Sequence, residues 1–121
     1  MTEQRSPDPT AIVQRQLDAY NQRDLDAFMA LFAAEACGYE LGSPTPMMNG
    51  KAEIRARYQQ LFANSPRLHS RVVTRVAIGR TVVDLESITG RNGSADVVNL
   101  MVIYQVADGL IQRFHVARDG E

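Results

Sequence analysis

Cysteine is nearly missing from this chain: among 121 residues only Cys37 carries a thiol. No internal disulfide is possible, so a fold held by covalent staples is excluded, and a reducing, cytoplasmic setting is expected. Long apolar runs are missing too. No stretch approaches the about twenty residues of a membrane span, and MTEQRSPDP has no apolar segment behind its charges, so no signal peptide is expected. Net charge is all but absent, at −1 from thirteen basic and fourteen acidic residues. The basic side chains are scattered from Arg5 to Arg118 rather than gathered in a stripe, which argues against nucleic acid or an anionic membrane as partner. Phosphate-loop and nucleophile-elbow patterns are lacking, and no histidine stands at ligand spacing from another donor. No cofactor and no metal are expected.

What is present describes an ordinary globular protein, 45% hydrophobic and 22% charged. A chain of this length removes roughly two-thirds of its unfolded surface from water on folding. Residues 1–8 are polar and are expected to be a flexible N-terminus before one domain over 9–121. Asp8-Pro9 supplies a capping acceptor and a proline suited to the first helical position. Ile12, Val13, Leu17 and Tyr20 recur at helical spacing, while Gln14, Arg15 and Asp18 face away. Asn21-Gln22-Arg23 interrupts that pattern. Asp24 then caps a second helix with an apolar face of Leu25, Phe28, Leu31 and Phe32.

A short strand is predicted over Cys37 to Leu41, with Cys37 as a small buried filler. A Gly-, Ser- and Pro-rich loop follows over 42–50. Gly50 and Glu53 open a third helix whose buried face is Ile54, Tyr58, Leu61 and Phe62. Asn64-Ser65-Pro66 ends it, because a residue before proline avoids helical geometry. From Leu68 onward β-branched residues dominate. Turns at Gly79-Arg80, Gly90-Arg91-Asn92-Gly93 and Asp108-Gly109 divide this part into four long antiparallel strands. Three helices and then a run of strands predict an α+β fold, with the helices on one face of a curved sheet.

IVQRQLDAYNQRDLDAFMALFAAEA, the acidic strand, NGKAEIRARYQQLF and the closing DGLIQRFHVARD together resemble the SnoaL-like, ketosteroid isomerase-like branch of the nuclear transport factor 2-like superfamily. The resemblance runs from about residue 9 to 118. It implies a cone-shaped, strongly bent sheet around a long first helix, an apolar pocket between them, and a homodimer formed through the sheet's outer face. The fold by itself names no reaction. The isomerases of that branch move a proton with a carboxylate at the position of Glu40 and keep a network tyrosine at that of Tyr58. Their two oxyanion donors fall at Gln16 and Val102. Losing one such donor typically costs on the order of a hundred- to a thousandfold. Valine donates nothing and an amide is a weak acid, so steroid isomerisation is disfavoured.

Glu40, among Phe28, Tyr58 and Val102, is the expected base, and a half-exposed strand-end acid is the plainer reading. The resemblance turns Arg113, His115 and Ala117 into the cone, leaving Phe114 and Val116 outside. His115 would then assist proton transfer, or it and Arg113 would form an ion pair with Glu40 at a polar mouth. Tyr20 and Tyr104 are candidate phenol donors, and Phe62 joins them in the pocket wall. Asp84 and Glu86 share a strand face and read as a solvated or dimer-facing edge. Three functions stay open at this point. One is cofactor-free proton transfer of isomerase or lyase type on a small apolar or amphipathic molecule. Another is binding of such a molecule without turnover. The last is a structural dimer whose cone is plugged by Phe28, Met47, Met48 and Phe62.

Overall fold

A computed structural model describes residues 8–119. The expected loose segment over 1–8 lies outside them except for Asp8. That residue caps α1 (Pro9–Gln22), its carboxylate accepting from the Thr10 amide at 3.0 Å. Asp24 does the same for α2 (Leu25–Met29) by accepting from the Ala27 amide. The order continues with β1 (Phe32–Glu40), β2 (Met48–Asn49), α3 (Lys51–Ala63), β3 (His69–Ile78), β4 (Thr81–Thr89), a 3₁₀ turn at Arg91–Gly93, β5 (Val98–Ala107) and β6 (Leu110–Arg118).

The six strands form one curved, unclosed sheet in the order β2-β1-β6-β5-β4-β3, with the helices on its inner face. The β1–β6 pair is parallel and the others are antiparallel. This is the α+β cone that the sequence implies.

Two local differences from the sequence pattern have clear causes. The second helix stops at Met29 and Phe32 begins a strand, because the Leu31 carbonyl accepts from the Ile111 amide and Phe32 pairs with Ile111. Pairing with β6 at Phe32 and again from Cys37 brackets Ala33, Ala34 and Ala36, residues with little strand propensity of their own, in an irregular stretch of β1. Cys37 is half-buried, with its thiol 3.4 Å from Asn49 Oδ1.

The second difference concerns β6. Ile111 is buried, so counting by twos puts residues 113, 115 and 117 inside. An irregularity intervenes: Val106 pairs with Ile111, but Gln105 pairs with Arg113. The extra residue reverses the alternation. Phe114 and Val116 therefore face the core, and Arg113 and His115 face outward.

The core centres on α1 and the inner face. Ile12, Val13, Phe28, Phe32, Ile54, Leu68, Val82, Val106 and Ile111 are essentially inaccessible. Phe28 and Phe62 belong to an aromatic cluster with Tyr20 and Tyr58, with ring centroids 4.6 Å apart for Phe28–Tyr58 and 5.7 Å for Tyr20–Phe62. Each such pair adds about 0.5–1.5 kcal/mol beyond its buried area. Gly38 is required by packing, since a Cβ there would overlap the ring of Phe114.

Candidate functional site

Between α1, α3 and the inner face of the sheet lies a cavity of about 400 Å³. Its size is that of a small-ligand site. Gln16, Leu17 and Tyr20 reach it from α1, and Arg57, Tyr58 and Leu61 from α3. Met47 and Met48, at the end of the proline-rich loop, close one side, and Leu100, Val102, Tyr104, Phe114 and Val116 form the sheet wall. The carboxyl in its lining is Glu86.

β4 brings Glu86 in by simple alternation. Val82, Asp84, Glu86 and Ile88 all point inward and are buried. One Glu86 oxygen accepts from the Ser70 hydroxyl at 2.7 Å, and the other lies 3.3 Å from the Tyr104 hydroxyl. That hydroxyl is also 3.4 Å from Gln16 Oε1, so one phenolic proton is shared between two acceptors. Burial pushes the Glu86 carboxyl up to about 7 against the lowering effect of the Ser70 hydrogen bond, and the neighbouring Asp84 charge adds to the rise. Asp84, fully buried, is held by Arg75 through bonds of 2.6 and 2.9 Å, and Arg75 also donates to Gln14 Oε1. Asp84 therefore has a fixed cationic partner, and among the described residues Glu86 has none.

The phenols around it remain protonated donors. Burial raises Tyr20 and Tyr104 well above the usual value. It pushes Tyr58 up to about 12, a rise that Glu86 reinforces and that Arg91, Arg57 and Arg118 oppose. Among the described residues, the Tyr20 and Tyr58 hydroxyls make no hydrogen bond to protein.

The residues expected from the sequence are divided by this geometry. Gln16, Tyr20, Tyr58, Val102 and Tyr104 line the cavity. Phe28 and Phe62 are packed in the aromatic cluster behind the lining, not in the lining itself. Arg113 and His115 lie on the outer face, where the His115 ring stacks on Tyr39 at 4.9 Å and 12°. The bulge in β6 is the reason, and neither side chain meets Glu40. Glu40 itself is outside the lining, its side chain 42% exposed and 3.3 Å from Arg118, rather than buried among Phe28, Tyr58 and Val102. Among the described residues no three His, Cys, Asp or Glu side chains gather as a metal would need. No helix among them is long and apolar enough to cross a membrane.

A family model described as the SnoaL-like domain matches residues 13–114, most of the chain. The chain belongs to that family. No curated protein matches this SnoaL-like domain. Solved structures with the same fold include an uncharacterised cystatin-fold protein from Novosphingobium aromaticivorans, 20% identical, covering 91% of this chain and 97% of its own, with a TM-score of 0.82. A protein from Kribbella flavida, provisionally called a ketosteroid isomerase, is 18% identical over 96% of this chain and 81% of its own, with a TM-score of 0.81. A protein from Jannaschia, provisionally called a SnoaL-like polyketide cyclase, is 21% identical over 98% and 92%, with a TM-score of 0.77. At these identities the likeness establishes the fold.

Glu86 is the buried cavity residue that the sequence reading of this SnoaL-like domain places at a solvated or dimer-facing edge. A signal was there: in VVDLESI the acids share parity with Val82 and Ile88, which are buried, rather than with Val83, Leu85 and Ser87. Arg118, two positions beyond Val116, also faces inward once the bulge is counted.

Proposed function

We propose that this SnoaL-like domain binds a small apolar or amphipathic molecule in its cavity and moves a proton on it without a cofactor, as an isomerase or lyase does, with Glu86 as the base. The observation that carries the reading is a buried carboxyl, poised near neutral pH, facing a cavity of about 400 Å³. A base works best when its pKa lies near the working pH. In the proposed step the Glu86 carboxylate takes a proton from a carbon next to a carbonyl. The C–H electron pair becomes the new C=C bond, and the carbonyl π pair moves to oxygen. Tyr20 or Tyr58 donates a hydrogen bond to that oxygen, in the role for which Gln16 and Val102 are poorly suited. Protonated Glu86 then returns the proton to a different carbon or to a leaving group.

A test can precede identification of the substrate. Small carbonyl compounds are incubated with the protein in heavy water, and exchange at the adjacent carbon is followed by NMR. Glu86→Gln is expected to slow exchange by about a hundred- to ten-thousandfold. Undiminished exchange in Glu86→Gln combined with loss in Glu40→Gln would return the base to Glu40, the position implied by resemblance.

One observation favours binding without turnover: both oxygens of Glu86 already have protein partners. That reading expects saturable binding with every ligand recovered unchanged. A plugged, purely structural cone is disfavoured by the cavity's volume. We further place the protein in the cytoplasm, on its lone cysteine, and as a homodimer through the outer face of β3, β4 and β5. Val76, Ile78, Leu85 and Met101 are exposed there, Ile78 by 83%.

A further inference from the structure

One carboxyl, Glu86, and three guanidinium groups line the cavity. Arg57 from α3, Arg91 from the 3₁₀ turn and Arg118 from the end of β6 all line it. Nothing local groups them, because they come from three elements far apart in the chain. The Nε atoms of Arg91 and Arg118 are shielded from solvent, yet neither has a hydrogen-bond partner. Shielded donors left unpaired cost free energy that an acceptor arriving from outside recovers. Among the described residues Arg118 has one carboxylate neighbour, Glu40 at 3.3 Å, and no ion pair involves Arg57 or Arg91. Three guanidinium groups around the cavity therefore outnumber its nearby carboxylates even with Glu40 and Glu86 both ionised.

The sheet register supplies a length scale. Glu86 pairs with Leu100, and Leu100 with Arg118, so acid and guanidinium stand in one row across three strands. Two strand spacings put their backbones about 10 Å apart. Both side chains reach into the same space from opposite ends of that row, with Leu100 between them.

We propose that the ligand is an amphipathic organic anion: a carboxylate or similar oxyanion held by Arg57, Arg91 and Arg118, with an apolar body lying along Leu100, Met47 and Val116 toward Glu86. Planar guanidinium forks match carboxylate oxygens two at a time, and they do so more strongly out of bulk water. Anion recognition stands independently of catalysis. Only the placement of the reacting carbon beside Glu86 rests on the proton-transfer reading.

Matched probes test it: 1-naphthaleneacetate and its neutral amide, titrated calorimetrically into the protein. The acid is expected to bind about ten- to a hundredfold more tightly than the amide. High salt, or inorganic sulfate as competitor, should close that gap in the unaltered protein, and Arg91→Gln with Arg118→Gln should close it while amide binding persists. Val102→Phe, which fills the middle of the cavity, should weaken both probes. Equal affinity for acid and amide, with both lost in Val102→Phe, overturns anion recognition and leaves the pocket standing. Acid preference untouched by Val102→Phe puts the arginines' partner outside the cavity and overturns the proposal. No binding of either probe overturns anion recognition and the pocket together. Glu86→Gln should keep the acid preference while losing proton exchange, so failure of the catalytic reading shows separately.

Discussion

The inner face of β3, β4 and β5 buries polar groups among its apolar ones, and the outer face exposes apolar groups among its polar ones. Inside are Asp84 and Glu86 on β4, Ser70 and Arg75 on β3, and the hydroxyl of Tyr104 on β5. Outside are Val76, Ile78, Leu85 and Met101, all exposed. Groups that prefer water have been withdrawn from it, and groups that avoid water face it. Each inversion has a cost in an isolated chain, and neither is needed to form the sheet. The proposed ligand cavity would account for the first and the proposed dimer for the second.

Asp84→Ala breaks the inner face most severely. It leaves the Arg75 guanidinium partly buried without its carboxylate, at a cost of about 3–5 kcal/mol, which urea unfolding will measure. A loss under about 1 kcal/mol would mean that Arg75 simply swings into water.

Glu86 contributes in the opposite sense. Its pKa is about 7 in the folded protein against an ordinary 4.5, so folding favours the protonated acid. Below 4.5 both states hold the proton and stability is at its full value. As the pH climbs through 7 the unfolded chain has already released its proton, and the folded protein loses stability. The expected loss between about pH 4 and about pH 8 is about 3 kcal/mol. Glu86→Gln removes this slope, so its stability relative to the unaltered protein should improve as pH rises. Parallel pH profiles for the two proteins would show that folding leaves the Glu86 carboxyl unshifted.

The outer face should respond least. Leu85 and Met101 are directly paired across β4 and β5. Leu85→Glu with Met101→Lys gives an opposite-charge cross-strand pair, and the protomer's unfolding free energy should change by less than about 0.5 kcal/mol. Sedimentation should nonetheless shift from dimer to monomer. An unchanged sedimentation coefficient would remove the outer face as the interface.

Local signals made much of the fold legible. Asp8-Pro9 and Asp24 start helices through their own side chains, and the four long strands carry β-branched residues between glycine turns. Half of the site was legible as well, since Gln16, Tyr20, Tyr58, Val102 and Tyr104 line the cavity. His115 and Arg113 were misplaced because one bulged residue in β6 reverses every side chain after it. No pattern in LIQRFHVAR announces that bulge. Glu86 was passed over because an acid beside an acid on a strand is ordinarily solvated, whereas here burial is imposed by α1 packed across β4.

The sequence alone determined the three helices and the four long strands and their order, because caps, turn residues and hydrophobic period act over a few positions; the start of β1 and the short β2 depended on sheet pairing. It also determined the fold family, whose pattern spans most of the chain. Tertiary structure decided which carboxylate is buried at the cavity. Glu40 and Glu86 are chemically identical, and their difference arises from water: outside the lining Glu40 keeps it, while Ser70, Tyr104 and the cavity wall take it from Glu86. Tertiary structure likewise gathered Arg57, Arg91 and Arg118 around one cavity. Desolvation and convergence depend on segments distant in the chain, and no local pattern encodes them.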